Sequence, residues 1–250
     1  MELKSGYCNA NEKGGLFIGC SCIIPFYNEG TRISKVLNVL KDVIELSQII
    51  CVDDGSEDFN SVQLLLEHPN INLLRLEKNR GKTEAVKAGL KLVKNNYVLL
   101  LDADLDALNN QEISKAVKTI TSQSNLDMII LRRVNAGIHS KLNRGDILYA
   151  GERILKSDDL KKILVKPAKS YQLEVLINKY MKDNQRKVYW MPSSARNTYK
   201  FKKLGLMAGL KAELEMINQI MACHGPKEYF DQYRRFALYR LPEGKKHYGI

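Results

Sequence analysis

The chain has 250 residues, 44% of them hydrophobic and 27% charged, with a formal net charge of +11. That composition suits one large soluble domain with a sizeable core, or one domain with an appendage. The excess of positive charge points to an anionic partner: a nucleotide, a phosphorylated acceptor, an acidic membrane surface or a nucleic acid.

The longest apolar runs fall far short of the roughly 20 residues that span a bilayer. The first fifteen residues, MELKSGYCNANEKGG, lack the apolar core of a signal peptide, so a cytoplasmic protein is expected, at most peripheral on a membrane surface. Five cysteines, Cys8, Cys20, Cys22, Cys51 and Cys223, form no metal-like pairing, and reduced thiols are expected.

In chain order, residues 1–15 read as a loose polar arm. LFIGCSCIIPFYNEG (16–30) is a strand to about Ile24, ended by Pro25 and turned at Asn28, Glu29 and Gly30. Cys20 and Cys22 share one face of it. Residues 31–46 carry apolar side chains at 33, 36, 37, 40, 43 and 44, which predicts a helix with Thr31 as N-cap. IICVDDGSED (49–58) is a second buried strand, followed by a short helix near 60–67. INLLRLEKN (71–79) is a third strand. GKTEAVKAGLKLVKN (81–95) is a helix whose Ala85, Ala88 and Gly89 form a close-packing face. Then YVLLLDADLDAL (97–108) places an apolar run, Val98 to Leu101, directly before Asp102 and Asp104.

Residues 111–123 predict a helix and 126–134 a strand ending in two arginines. Residues 139–164 mix one or two helices with polar turns. Residues 170–184 form an amphipathic helix and 187–192 a short strand. A long helix over 202–225 ends at Gly225, and a second, over 226–241, starts with Pro226. The alternation of short apolar strands with helices predicts an α/β fold with a mostly parallel sheet flanked by helices. The composition shift between Pro192 and Lys203 divides it into a domain of residues 1–195 and a basic helical C-terminal extension, 196–250.

Open α/β sheets bind ligands beyond the carboxyl ends of their strands, and four such loops carry suitable groups. PFYNEG offers Tyr27 as a stacking face and Glu29 as an acceptor. In VDDGSED, Asp53 can accept hydrogen bonds from a base or ribose. In EKNRGKTEAVKAG, Gly81 lets backbone approach a phosphate, Lys82 adds positive charge, and a helix N-terminus presents free N–H groups. In LDADLD, Asp102 and Asp104 can share a hard divalent cation, Mg²⁺ or Mn²⁺, which completes its shell with water and substrate phosphates. Each loop alone also has a plain reading. Asp-rich loops stop strands and make turns, and a lysine at a helix start is usually just solvated.

The segments I-P-F-Y-N-E, V-D-D-G-S, N-R-G-K-x-x-A-x-x-x-G and D-A-D, in this order and spacing, resemble the family 2 glycosyltransferases with the GT-A fold. The Gly-Lys before the third helix is most similar to the branch that uses dolichyl or polyprenyl phosphate. The match covers roughly residues 18–135. The resemblance implies that Pro25, Tyr27, Glu29, Asp53, Lys82, Asp102 and Ala103 bind the nucleotide sugar, and that Asp102 and Asp104 hold the metal-bound diphosphate. The family's Gly-Ser-Arg after the next strand is here Leu131-Arg132-Arg133, so only Arg133 matches as an acceptor contact. GERIL (151–155) resembles the acceptor-loop segment, with Gly151 and Arg153. Glu174, on YQLEVLIN, is the candidate acid–base residue. Beside these stand plain readings: Glu152 and Arg153 as a local ion pair, and Glu174 as a helix-surface carboxylate.

The implied chemistry is displacement at a sugar C1, by resemblance with inversion. A UDP- or GDP-linked sugar is the donor and a phosphate or hydroxyl the acceptor. Asp104, through the metal, and Glu174 are the catalytic candidates; a hydroxyl acceptor needs a carboxylate to take its proton, and Glu174 is the one expected to do so. A phosphate needs no base and is held by arginines. A sugar-1-phosphate nucleotidyltransferase is the rival enzyme reading, but it requires a Gly-rich basic loop where PFYNEG stands. A non-catalytic binder of anionic polymer or membrane fits the charge but not the acidic loops. RNA recognition is not expected, since no sheet face interleaves aromatic and basic residues. Residues 196–250 hold eleven Lys or Arg against five Asp or Glu, and are expected to serve as core, as a homodimer interface or as a membrane-surface contact.

Overall fold

The computed structural model describes residues 19–57, 71–165, 172–197 and 225–242. A seven-stranded sheet runs through it in the order β3-β2-β1-β4-β7-β6-β8. The strands are β1 Cys20–Phe26, β2 Leu46–Asp53, β3 Ile71–Arg75, β4 Tyr97–Leu100, β6 Met128–Arg133, β7 Arg153–Lys156 and β8 Val188–Ser193. A two-stranded sheet pairs β5 Leu105–Asp106 with β9 Arg196–Asn197. The helices are α1 Arg32–Leu40, α2 Lys82–Leu90, α3 Asn110–Ser122, α4 Ile138–Leu142, α5 Gly145–Leu148, α6 Ser157–Ile163, α7 Gln172–Asp183 and α8 Pro226–Arg235.

The strand pattern explains the layering. Cys20, Cys22 and Ile24 face α1 and α3, in one core with Ile33, Val36, Ile113 and Val117. Ile23, Ile50 and Val52 face the other side, packing with Ala85 and Val86 of α2 and Leu173 and Ile177 of α7. Alternate residues along β1 therefore fill opposite layers, as pleating requires, and the sheet is covered on both faces. The expected small face of α2 is real: a Cβ on Gly89 would lie 2.9 Å from Val52 Cγ2 and 3.0 Å from Ile23 Cγ2.

Several expectations are corrected. Pro25 does not end β1. The strand continues to Phe26, with Pro25 opposite Val52 of β2, because the β1–β4 ladder already stops at Ile23↔Leu100 and asks no N–H of the proline. The first helix stops at Leu40 rather than 46. Val43 is still buried, but Ile44 is 81% exposed, and β2 begins at Leu46. Thr31 occupies the N-cap position without a side-chain bond. Helix 81–95 is the shorter α2. Residues 139–164 contain β7 as well as helices, and β7 lies antiparallel to both β4 and β6. The short helix near 60–67 and the long helix over 202–225 lie outside the described residues. The helix expected over 226–241 ends at Arg235. There the Arg144 guanidinium donates to the carbonyls of Tyr233, Phe236 (2.7 Å) and Ala237 (3.2 Å), drawing the chain out of the helix. Beyond it, Trp190 N donates to Tyr239 O at 3.2 Å and Leu241 N to Trp190 O at 2.9 Å, extending the sheet edge at β8. Among the described residues no helix is long and apolar enough to cross a membrane.

β1, β2, β4 and β6 run the same way, so their carboxyl ends open on one rim. The strand order turns back between β1 and β4, which makes this the switch point of the sheet. Because β7 is antiparallel, its start reaches the same rim, with Arg153 opposite Leu100 and Gly151–Glu152 just beyond.

Candidate active site

The rim is built from backbone outward. Phe26 pairs with Asp53, and Asp54 N donates to Phe26 O at 2.9 Å, so the loops after β1 and β2 leave side by side. Asn28 Oδ1 accepts from Glu57 N at 2.9 Å, and Asn28 N donates to Ser56 Oγ, tying them further. Gly55 has φ +77°, and a Cβ there would meet Lys78 backbone at 2.6 Å, so only glycine fits where this turn crosses the third loop. Asp54, not among the residues expected at the site, holds that third loop: its two oxygens accept from Arg80 N (2.8 Å) and Gly81 N (2.7 Å). This fixes Lys82 at the start of α2.

Lys82 Nζ donates to Asp102 Oδ1 at 2.6 Å and to Glu174 Oε1 at 2.9 Å. One ammonium thus joins the end of β4 to α7. Burial works against its charge, but Asp102 and Glu174 outweigh burial and raise its pKa. Asp102 is affected in the opposite sense. Burial pushes its pKa up, and Lys82, with Arg133 and Arg153 at longer range, brings it below the usual carboxylate value. Asp104 has no such surplus of cations. Burial and the Asp102 charge raise its pKa. Burial also raises Glu29, with Asp104 and Asp102 adding to the effect and Arg32, at 2.8 Å, opposing it. Glu29, Asp102 and Asp104 therefore share one electrostatic environment, in which Arg32 and Lys82 only partly offset the rise at Asp104. Among the described residues, no three or more His, Cys, Asp or Glu side chains gather as a metal cage.

The remaining expected residues divide. Tyr27 is 38% exposed at the rim, while Ala103 is buried beneath it. Pro25 is inside β1. Asp53 is fully buried. Its Oδ1 accepts from Ser56 N at 2.8 Å, and Oδ2 lies 3.3 Å from Arg75 Nε without a hydrogen bond. Gly151 lies against Asp102, where a Cβ would come 2.5 Å from Oδ2. Arg133 reaches the same corner, its Nε 3.7 Å from Glu152 Oε2 and without a hydrogen bond. Glu152 is itself buried with neither oxygen hydrogen-bonded. Burial raises its pKa, with Arg133 opposing and Asp102 reinforcing.

Arg153 is a correction. It is fully buried, and its guanidinium donates to Ala150 O and to Asn178 Oδ1 at 2.9 Å, so it braces the core under the rim instead of facing an acceptor. It does not form the expected local bridge with Glu152, whose ion-pair partner is Arg133. Asn178 in turn donates to Leu148 O and Gln232 Oε1, linking α5, α7 and α8. No sequence pattern announces this network. Of the two readings of Glu174, the plain one, a helix-surface carboxylate, does not hold: only 7% of it is exposed, and it faces Lys82.

The model of the family described as Glycosyl transferase family 2 matches residues 21–205. A dolichyl-phosphate beta-glucosyltransferase of Trichomonas vaginalis is 30% identical over 139 residues, which is 49% of this chain and 40% of that protein. Its counterpart in Dictyostelium discoideum is 37% identical over 99 residues, 34% of this chain and 30% of that protein. The chain thus spans well under half the length of these relatives. Among solved structures, glucosyl-3-phosphoglycerate synthase from Mycobacterium tuberculosis, in complex with Mn²⁺, UDP and phosphoglyceric acid, has a TM-score of 0.64 at 16% identity, covering 83% of this chain and 79% of that one. Staphylococcus aureus TarS 1-349 has a TM-score of 0.56 at 20% identity, covering 69% and 58%. The shared fold is GT-A.

Proposed function

The chain belongs to glycosyl transferase family 2, and on that premise we propose that it moves a sugar from a nucleoside-diphosphate sugar to a phosphorylated acceptor, with inversion at C1. The observation that carries this reading is the Lys82–Asp102–Glu174 contact set beside Asp104, at the switch point of the sheet.

Asp102 and Asp104 fit a divalent cation as hard oxygen donors, and Arg32 and Lys82 only partly offset the burial and carboxylate repulsion that raise Asp104, which such an ion would offset further. Two protein carboxylates are too few for a closed cage, so such an ion would depend on diphosphate oxygens and water for its remaining ligands. The cation supplies neutralisation of the departing diphosphate. Tyr27, exposed at the rim, flanks the nucleoside, and the buried Asp53 shapes the neighbouring loop through Ser56 and Arg75. The acceptor oxygen forms the new bond to C1 as the C1–O bond to the diphosphate breaks, the electron pair leaving with the diphosphate. Either Mg²⁺ or Mn²⁺ suits the donors, and the donor nucleotide is UDP or GDP.

A phosphate acceptor is favoured over a hydroxyl by the state of Glu174. A hydroxyl needs a carboxylate to take its proton, and the Glu174 carboxylate is engaged by an ammonium. A phosphate is already ionised near neutral pH. Arg133, beside Glu152 at the end of β6 and partly exposed, is the arginine we assign to it. The names of the relatives (dolichyl-phosphate transferases) and of the structural neighbour (with phosphoglyceric acid) support the same class.

We assign catalysis to residues 1–195 and read 196–250 as a basic extension that contributes α8 to the core and is suited to a homodimer or to peripheral contact with a membrane from the cytoplasmic face. The test is a panel of UDP- and GDP-sugars scored for hydrolysis and for transfer to polyprenyl phosphate or small phosphorylated acceptors, with Mn²⁺ or Mg²⁺ present. Metal-dependent release of one nucleoside diphosphate supports the reading. No turnover and no thermal stabilisation by any nucleotide with metal overturns it.

A further inference from the structure

The Asp102 carboxylate is crowded on both sides. The Lys82 ammonium occupies Oδ1 at 2.6 Å, and the Gly151 backbone closes against Oδ2. Arg133 and Arg153 add positive potential at the same group. At Asp104, two residues on, burial and the Asp102 charge outweigh the more distant Arg32 and Lys82. A bare divalent cation entering here meets one carboxylate already neutralised from within the protein. It must compete with a hydrogen-bonded ammonium for it, and finds no third protein carboxylate in ligand geometry among the described residues.

We propose that Lys82 is an internal counter-ion that keeps the metal loop closed to a divalent cation until a nucleoside diphosphate arrives. The inference rests on the function proposed above and concerns the order in which that site fills. The Lys82 side chain is 32% exposed, so it is within reach of an incoming anion. It stands at the start of α2, where the free N–H groups favour phosphate. A diphosphate offers the ammonium an exchange of partners, releasing Asp102 Oδ1, and brings the oxygen ligands that the protein lacks. Glu174 holds the ammonium on its other side, so Lys82 moves between partners while remaining tethered to α7. Metal and nucleotide then bind as mutually dependent ligands, and the dependence is reciprocal.

The test measures Mn²⁺ binding directly, by the loss of the free-ion signal in electron paramagnetic resonance, and UDP and GDP binding by calorimetry. In the parent protein Mn²⁺ binding is weak alone and tightens at least tenfold with the nucleotide. In Lys82→Met, Mn²⁺ alone binds at least tenfold more tightly than in the parent, the metal–nucleotide coupling falls towards onefold, and nucleotide binding without metal weakens. Lys82→Arg, which keeps a cation at the site, retains coupling. Lys82→Gln serves as a second neutral variant, and melting curves establish that each variant is folded. Unchanged nucleotide-free Mn²⁺ affinity in the folded neutral variants, with nucleotide still bound, overturns the gate and leaves the transferase reading standing. Failure of the parent protein to bind either nucleotide with Mn²⁺ overturns both.

Discussion

Gly151 sits so close to Asp102 that a Cβ at 151 would lie 2.5 Å from one carboxylate oxygen and 2.8 Å from the other. The glycine is there for space and not for an unusual backbone angle: β7 enters the rim antiparallel to β4 and passes directly beside the group that ends it. A methyl at this point must displace either the backbone of β7 or the carboxylate. The expected outcome for Gly151→Ala is a loss of transfer activity of about a hundredfold, the scale of one misplaced electrostatic contact in a transition state. Nucleotide binding in the absence of metal should change little. Steady-state kinetics and calorimetry on the same preparation check this.

Asp104→Asn keeps the shape of the side chain and removes its charge. Because burial and the neighbouring Asp102 disfavour that charge in the free protein, the variant should melt no lower than the parent. Turnover should fall by at least about a hundredfold, as expected for removal of one ligand from an ion that neutralises a leaving group. Full metal-dependent activity in the variant would place the metal elsewhere.

Asn178 is fully buried and satisfies three partners at once, Arg153, Leu148 O and Gln232. Replacing it with leucine keeps most of the volume but strands a buried guanidinium donor. Leaving a buried charged donor unsatisfied costs about 3 kcal/mol. Urea unfolding should register that loss, while KM for the donor sugar stays near the parent value, because no atom of Asn178 reaches the rim.

Acid sensitivity should trace in part to Asp127. Its Oδ1 accepts from Lys156 Nζ at 2.7 Å and its Oδ2 from Lys187 N at 2.9 Å. Burial opposes its charge, but Lys156, the Lys187 amide and Arg186 outweigh burial and lower its pKa. The unfolded chain therefore binds more protons at this residue between the lowered folded value and the ordinary value of about 3.9, and stability rises with pH across that window. The contribution is present above the ordinary value and is lost as pH falls through the folded one. Asp127→Asn should be less stable than the parent by about 1 kcal/mol at pH 7. The difference should close as pH is lowered through the ordinary Asp range. Denaturant unfolding at a series of pH values checks the sign.

What was legible in the chain was local. Apolar runs ending in Asp53 and in Asp102, a Gly-Lys pair before a helix, and the small face of α2 each arise within a dozen residues, and periodicity alone exposes them. Cys20 and Cys22 were expected to share one face of β1, and they do, in a single core. The candidate site was legible in the same measure: the loops that carry Glu29, Asp53, Lys82 and Asp102 all reach one rim because their strands are parallel. What only the tertiary structure decided was long-range. β7 is four residues with a charge at each end, Arg153 and Lys156, and nothing local marks it as a strand. It becomes one because Ile154 pairs with both Leu99 and Ile129, and that insertion is what sets Gly151 on Asp102 and buries Arg153. The Lys82–Glu174 bond joins residues 92 apart in sequence. A side chain's hydrophobicity and spacing prescribe which face it takes, but which charge it meets there depends on how elements distant in the chain pack together. Glu174 could therefore be read from sequence as a free carboxylate, and folding made it the partner of a lysine.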